Sequence, residues 1–171
     1  GPTSDGRRKP EIWAPGCSTL SSASGTTCGT VSLTGTSMAS PAIAGTALLV
    51  RQYYTSGYYP LGSPSGGSAF VPSGALVKAT LLNSAVDMTG VAGSPSNAEG
   101  WGRVLADNAL YFPGDARKLL MSDIRNNQGL STGGLTSVPV AVLGSGQRLQ
   151  VSLVWTEPAA AAGAGNAAVN D

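Results

Sequence analysis

At 171 residues the chain is long enough for one compact domain, or for one domain and part of a second. Hydrophobic residues make up 42% of it and charged residues 11%, which suits a core-forming globular chain. The net charge is +1, the short Gly6-Arg7-Arg8-Lys9 cluster is too small for a nucleic-acid footprint, and no apolar run reaches the roughly 18 to 20 residues of a membrane span, so neither nucleic acid nor a membrane is expected as partner.

Residues 1–16 read as loop, punctuated by Gly6, Pro10, Pro15 and Gly16, around a short extended piece at Glu11-Ile12-Trp13. Cys17 and Cys28 then flank a stretch rich in Ser, Thr and Gly. Without histidine partners or C-x-x-C spacing they do not suit zinc. Two readings stand: thiols that never meet, or a loop-closing disulfide in an oxidising compartment, worth about 3 kcal/mol if unstrained. The disulfide is the expectation, with Cα atoms within about 7 Å.

Val31-Ser32-Leu33 reads as a short strand. A helix is predicted from about Thr36 to Tyr54, with Pro41 tolerated as a first-turn residue whose N–H has no intrahelical partner to lose. Residues 55–72, with four glycines and three prolines, form a long loop. A second helix is predicted over residues 73–88, with Ser73 as N-cap and Val77, Leu81, Ala85 and Met88 as its apolar stripe. Residues 89–102 are loop ending in Gly100-Trp101-Gly102, with Trp101 as a packing anchor. Residues 103–112 read as a short helix closed by Pro113-Gly114. The pattern then changes. "VPVAVL" and "RLQVSLVW" alternate on either side of Gly144-Ser145-Gly146, the mark of a β-hairpin. A boundary falls between residues 113 and 125, dividing the chain into 1–115 and 116–171.

The chemistry centres on "GTSMA", residues 35–39. A nucleophilic serine needs small neighbours, so that a carbonyl can approach its hydroxyl, and it gains from a helix N-terminus whose free N–H groups stabilise an oxyanion. Ser37 has both. Serine is also a common N-cap, so this pattern alone leaves a capping role open.

The wider wording is more specific. "GTSMASPAIAG" resembles the serine block of the subtilisin-like serine proteases, the subtilases. "GPTSDGRRKPEIWAPG" is similar to the stretch leading toward that block, and "EGWGRV" to the element after the next helix. Order and spacing agree over roughly residues 1–112. The tail, with "LQVSLVWTEPA" and a terminal "VND", looks like the β-sandwich that follows the catalytic domain in some large secreted subtilases.

The resemblance implies an α/β fold: the C-terminal portion of a three-layer domain with a mainly parallel sheet, then a partial antiparallel, jelly-roll-like β-sandwich. Ser37 matches the nucleophile and its backbone N–H one oxyanion donor, while Met38 lines the leaving-group side of the cleft and is the expected site of oxidative inactivation. The family's aspartate, histidine and oxyanion asparagine lie in motifs N-terminal to this block, and this chain has no histidine. Asp5 is no substitute, because it falls in the loop before the serine. Glu11 stands where aspartate is more usual.

The implied parent is therefore a secreted endopeptidase acting on proteins or peptides through an acyl-enzyme, of which this chain is one segment. That segment should be inactive without the N-terminal remainder that completes the triad. No cofactor is expected here, although structural calcium is frequent in the family. A non-catalytic scaffold or adhesion protein keeping the fold is the alternative. A Ser–Lys dyad using Lys9, Lys78 or Lys118 lacks suitable spacing, an α/β-hydrolase elbow lacks its glycine and histidine, and Asp87, Asp107 and Asp115 read as helix-end caps and surface charges.

Overall fold

The structure, a computed structural model, describes residues 1–88, 90, 93–142 and 144–165. Its regular elements are two short strands, β1 (Thr19–Ser22) and β2 (Thr30–Leu33), and two helices, α1 (Thr36–Thr55) and α2 (Gly74–Ser84), with three single 3₁₀ turns. The strands pair antiparallel, from Thr19 opposite Leu33 to Ser22 opposite Thr30. Across their turn, Thr26 Oγ1 donates to Ala23 O and accepts from Gly29 N–H. The sequence reading placed loop over β1, because Thr-Leu-Ser-Ser carries no strand pattern and the strand is largely exposed. Its partner β2 makes it a strand.

This hairpin overturns the disulfide. Cys17 and Cys28 are free, exposed thiols. The paired segment lies between them, Cys17 at its open end and Cys28 at its turn, and at about 3.3 Å per strand residue they stand on the order of 15 Å apart. Sharing one loop does not bring two cysteines together when that loop is a ladder.

α1 ends within one residue of its predicted limit. Its last turn closes in a Schellman motif: Tyr58 N–H donates to Tyr53 O and Gly57 N–H to Tyr54 O, with Gly57 at φ 70. The accompanying contact is the Tyr58 ring stacked on Tyr53 at 5.4 Å. Pro41 sits in the second turn, not the first. Its missing N–H belongs opposite the Ser37 carbonyl, four residues back.

α2 packs on α1. Ser73 is its N-cap, Oγ accepting the Leu76 N–H at 3.0 Å, and Asp123 Oδ2 accepts the Ser73 N–H at 2.8 Å. A carboxylate there also suits the helix dipole. The helix stops at Ser84, short of the predicted Met88, because Val86 exchanges two backbone hydrogen bonds of 2.9 Å with Arg103. On its other side Arg103 forms a parallel bridge with Trp13. Glu11–Trp13, Val86 and residues 101–104 thus make one small patch of sheet. This patch also overturns the helix over 103–112: with Arg103 and Val104 committed to bridges, only a 3₁₀ turn at Ala106–Asn108 remains. The Trp13 bridge is the only parallel pairing among the described residues, so the expected mainly parallel sheet is not formed by them.

The core lies between the helices and is rich in tyrosine: Val50, Tyr53, Tyr54, Leu76, Leu81 and Leu110 are buried together. Trp101 is half-buried against the N-terminal segment, its backbone N–H donating to Glu11 O at 2.7 Å and its ring under the Arg8 guanidinium at 5.3 Å. A Cβ on Gly100 or Gly102 would fall on the backbone of Glu11 or Val86.

Glu99 is fully buried beside this patch. Its Oε2 accepts the Met88 N–H at 3.0 Å, and its Oε1 meets no donor among the described residues. Burial pushes its carboxyl above the ordinary value of 4.5; the Met88 N–H opposes this and the neighbouring Asp87 adds to it. A raised carboxyl favours the fold while it holds its proton, below about pH 4.5, and that contribution is lost as pH rises through the folded value. Glu99→Gln should therefore raise the Tm at pH 7 and flatten its dependence on pH above 4.5. An unchanged slope between pH 4.5 and 7.5 would show that Glu99 does not carry it.

Past residue 115 the described tail holds one 3₁₀ turn and no strand. Val138, Val140 and Val142 are exposed, as are Leu149, Val151, Leu153 and Trp155. The expected hairpin is absent among the described residues, and Leu143 and Val169-Asn170-Asp171 lie outside them. Two alternating segments alone bury too little to hold a ladder in water. Asn83 anchors the tail to α2, donating to Gln150 O and Ser152 Oγ while its own carbonyl accepts from Gln150 Nε2.

Candidate active site

β2 delivers the chain through Thr34 to Gly35, the N-cap of α1. Gly35 has no side chain with which to cap, so Ser37 is the second helical residue and not the cap. This removes the capping role left open by the pattern. Ser37 is exposed, and its hydroxyl makes no hydrogen bond among the described residues.

The backbone around it is equally open. Gly35 N–H donates to Gly16 O at 2.8 Å and Met38 N–H to Gly35 O at 3.0 Å, leaving the N–H groups of Thr36 and Ser37 without an acceptor among the described residues. Unpaired donors at the positive end of a 20-residue helix suit a developing oxyanion. The Ser37 hydroxyl and N–H belong to one residue, so an atom attacked by the first lies near the second. Met38 is half-buried, and its Sδ lies 3.8 Å from where a Gly35 side chain would begin.

The 14–18 segment packs against this turn. A Cβ on Gly16 would stand 2.7 Å from Gly35 O and 3.1 Å from the Ala39 Cβ. Glycine at 16 is required by that approach. Thr34, too, holds the segment: its Oγ1 accepts the Ser18 N–H at 2.9 Å. Neither residue was singled out for the site from the sequence, where Gly16 reads only as loop punctuation and nothing marks Thr34.

Among the described residues no general base is hydrogen-bonded to Ser37. Asp5 is held by Thr3 and Arg7. Glu11 bridges Lys9 Nζ at 3.0 Å and Lys78 Nζ at 2.7 Å. Burial alone would raise the Glu11 carboxyl; the hydrogen bonds from Lys78 and Lys9 outweigh it and hold it below its ordinary range. Both lysines are thereby engaged by Glu11, and Lys118 lies over the Tyr111 ring at 5.8 Å. Asp115 Oδ2 accepts the Phe112 N–H at 2.7 Å, a turn cap.

Two grooves open elsewhere, a wide one between α2 and the tail and one of about 580 Å³ between α1 and α2; Ser37 lines neither. Among the described residues no three His, Cys, Asp or Glu side chains are grouped so as to hold a metal. Nor is any described helix long and apolar enough to cross a membrane.

Comparison with known proteins bears on the same residues. The subtilase family profile matches residues 1–102, which include Ser37 and Trp101. Among curated proteins, the serine protease/ABC transporter B family proteins tagA and tagD of Dictyostelium discoideum are 32% and 31% identical over 93% and 96% of this chain. A third, tagB of the same organism, is 34% identical over 65% of it. The chain spans only 10% and 12% of the length of the first two relatives. No solved structure matches. A family profile that covers more than half the residues, and contains the helix start where an unbonded serine meets unpaired N–H groups, decides the classification: the chain belongs to the subtilase family.

Proposed function

We propose that this chain is the serine-bearing part of a subtilisin-like endopeptidase, with Ser37 as its nucleophile. The observation that carries the reading is the first turn of α1, where an exposed, unbonded hydroxyl stands on the same residue as an unpaired backbone N–H. In the proposed reaction Ser37 Oγ attacks a peptide carbonyl, its N–H holds the oxyanion, and a histidine outside these residues takes the proton. All the reacting groups are protein groups, so the step needs no cofactor. Substrates are proteins or peptides, and Met38 borders the departing amine.

The exposed small residues of α1 support a larger domain around this helix. Ala42, Ala44 and Gly45 are exposed, and a Cβ on Gly45 would meet nothing within 4 Å. Small residues with room around them suit the close approach of further elements. The exposed alternating segments of the tail are proposed as strands of a β-sandwich that starts near residue 116 and needs more strands to form. Work outside the cytosol fits the low charge content, 11%.

Labelling with a fluorophosphonate probe tests the reading. The full-length enzyme should label and its Ser37→Ala variant should not. Residues 1–171 alone should label no more than their own Ser37→Ala control, since a serine hydroxyl without a base is a poor nucleophile. A full-length protein that carries a histidine and stays unlabelled would replace the protease with a non-catalytic scaffold. Ser37-dependent labelling of the isolated segment would reveal a base within it.

A further inference from the structure

We propose that the Thr34 hydroxyl is a positioning group for Ser37, placing the backbone N–H that faces the oxyanion. The inference rests on Ser37 as nucleophile and adds a residue that does not touch substrate. The chain enters α1 through Thr34 and Gly35, and within α1 the helix axis fixes the direction of the unpaired N–H groups of its first turn. Where that turn stands is set by how the chain enters.

Three hydrogen bonds tie that entry to the 16–18 segment. One is the 2.8 Å bond from Gly35 N–H to Gly16 O. The other two run through a side chain: Thr34 Oγ1 accepts the Ser18 N–H at 2.9 Å and donates its own proton to Cys17 Sγ at 3.8 Å. A hydroxyl used as both acceptor and donor is held from both sides. Ser18 adds a second sign of constraint. It has φ 52, a left-handed conformation that a non-glycine residue rarely adopts. Its N–H is the one that Thr34 Oγ1 accepts. With Gly16 packed against Gly35 O and Ala39, the segment has little room to shift without moving the helix start. The Thr34 bonds are exposed, so they contribute little to folding, and their effect falls on the direction of the chain.

The test uses the full-length enzyme. Thr34→Val keeps the branched shape and removes the hydroxyl. It should lower kcat about tenfold, less than the loss of an oxyanion donor itself, with KM changed less than about twofold. Its Tm should stay within about 2 °C of the parent, because the lost bonds are exposed. Thr34→Ser, which restores the hydroxyl, should return kcat to within about twofold of the parent. Wild-type kcat in Thr34→Val, or a serine variant no better than valine, would overturn the proposal, as would a fall in Tm that accounts for the lost activity. Activity that survives Ser37→Ala would instead remove Ser37 as the nucleophile, whatever Thr34 does.

Discussion

Ser37→Ala in the full-length enzyme is expected to lower kcat/KM on a peptide substrate by about 10⁴- to 10⁶-fold while leaving the folded state as stable as before. The catalytic loss is large because removing the nucleophile leaves only substrate binding and oxyanion stabilisation. The stability side follows from the geometry. The Ser37 hydroxyl is exposed and bonded to nothing among the described residues, so its deletion leaves no buried group unsatisfied. Alanine is also the better helix former, by up to about 0.5 kcal/mol. A denaturation midpoint at or slightly above wild type, alongside abolished turnover, is the expected pair of results. A clear loss of stability would mean that Ser37 is a structural residue after all, and residual activity within about tenfold of wild type would remove it from the mechanism.

Tyr54→Ala should produce the largest loss of stability. Tyr54 is fully buried between the helices, edge-on to Tyr53 at 5.4 Å and tilted against Phe70 at 5.3 Å. Removing such a ring costs about 3 to 5 kcal/mol, the lost burial plus the cavity left behind. Tyr54→Phe isolates the hydroxyl, which lies 3.0 Å from Thr80 Oγ1. Thr80 keeps its own 2.9 Å bond to Leu76 O, so that variant should lose only about 1 kcal/mol. Burial also pushes the Tyr54 hydroxyl from 10.0 up to about 12. A raised value favours the fold below the unfolded pKa, and the benefit disappears as pH rises from about 10 through about 12. Tyr54→Phe should remove that alkaline loss. Denaturant midpoints at pH 7, 10 and 11.5 would separate the two effects, and a Tyr54→Ala cost below about 1 kcal/mol would contradict this account of the core.

What could be read directly was local chemistry. The start of α1 at Gly-Thr-Ser and its end near Tyr54, the Ser73 cap of α2 and the placing of Ser37 on an open first turn all depend on neighbours a few residues apart. In such cases the deciding interactions lie inside the stretch being read. Ser73, for instance, needs only the Leu76 N–H three residues on. The "GTSMASP" wording likewise named the family without any tertiary contact.

What could not be read depends on partners far along the chain. β1 is a strand because β2 lies opposite it, and the same ladder separates Cys17 from Cys28. α2 ends at Ser84, although its apolar stripe runs on, because Arg103 takes the backbone groups of Val86. Those bonds also cancel the helix expected at 103–112, since one backbone N–H and C=O cannot serve a helix and a bridge together. The tail shows the converse: its alternation has the period of strands, yet a strand needs a neighbour to satisfy its backbone, and none is formed among the described residues. The sequence by itself determined the family, through the wording around Ser37, and both helix starts, because these rest on residues close together in the chain. Only the tertiary structure decided where α2 stops, which segments pair and what holds the entry to Ser37, because each of these is a competition for the same hydrogen bonds between residues distant in the chain.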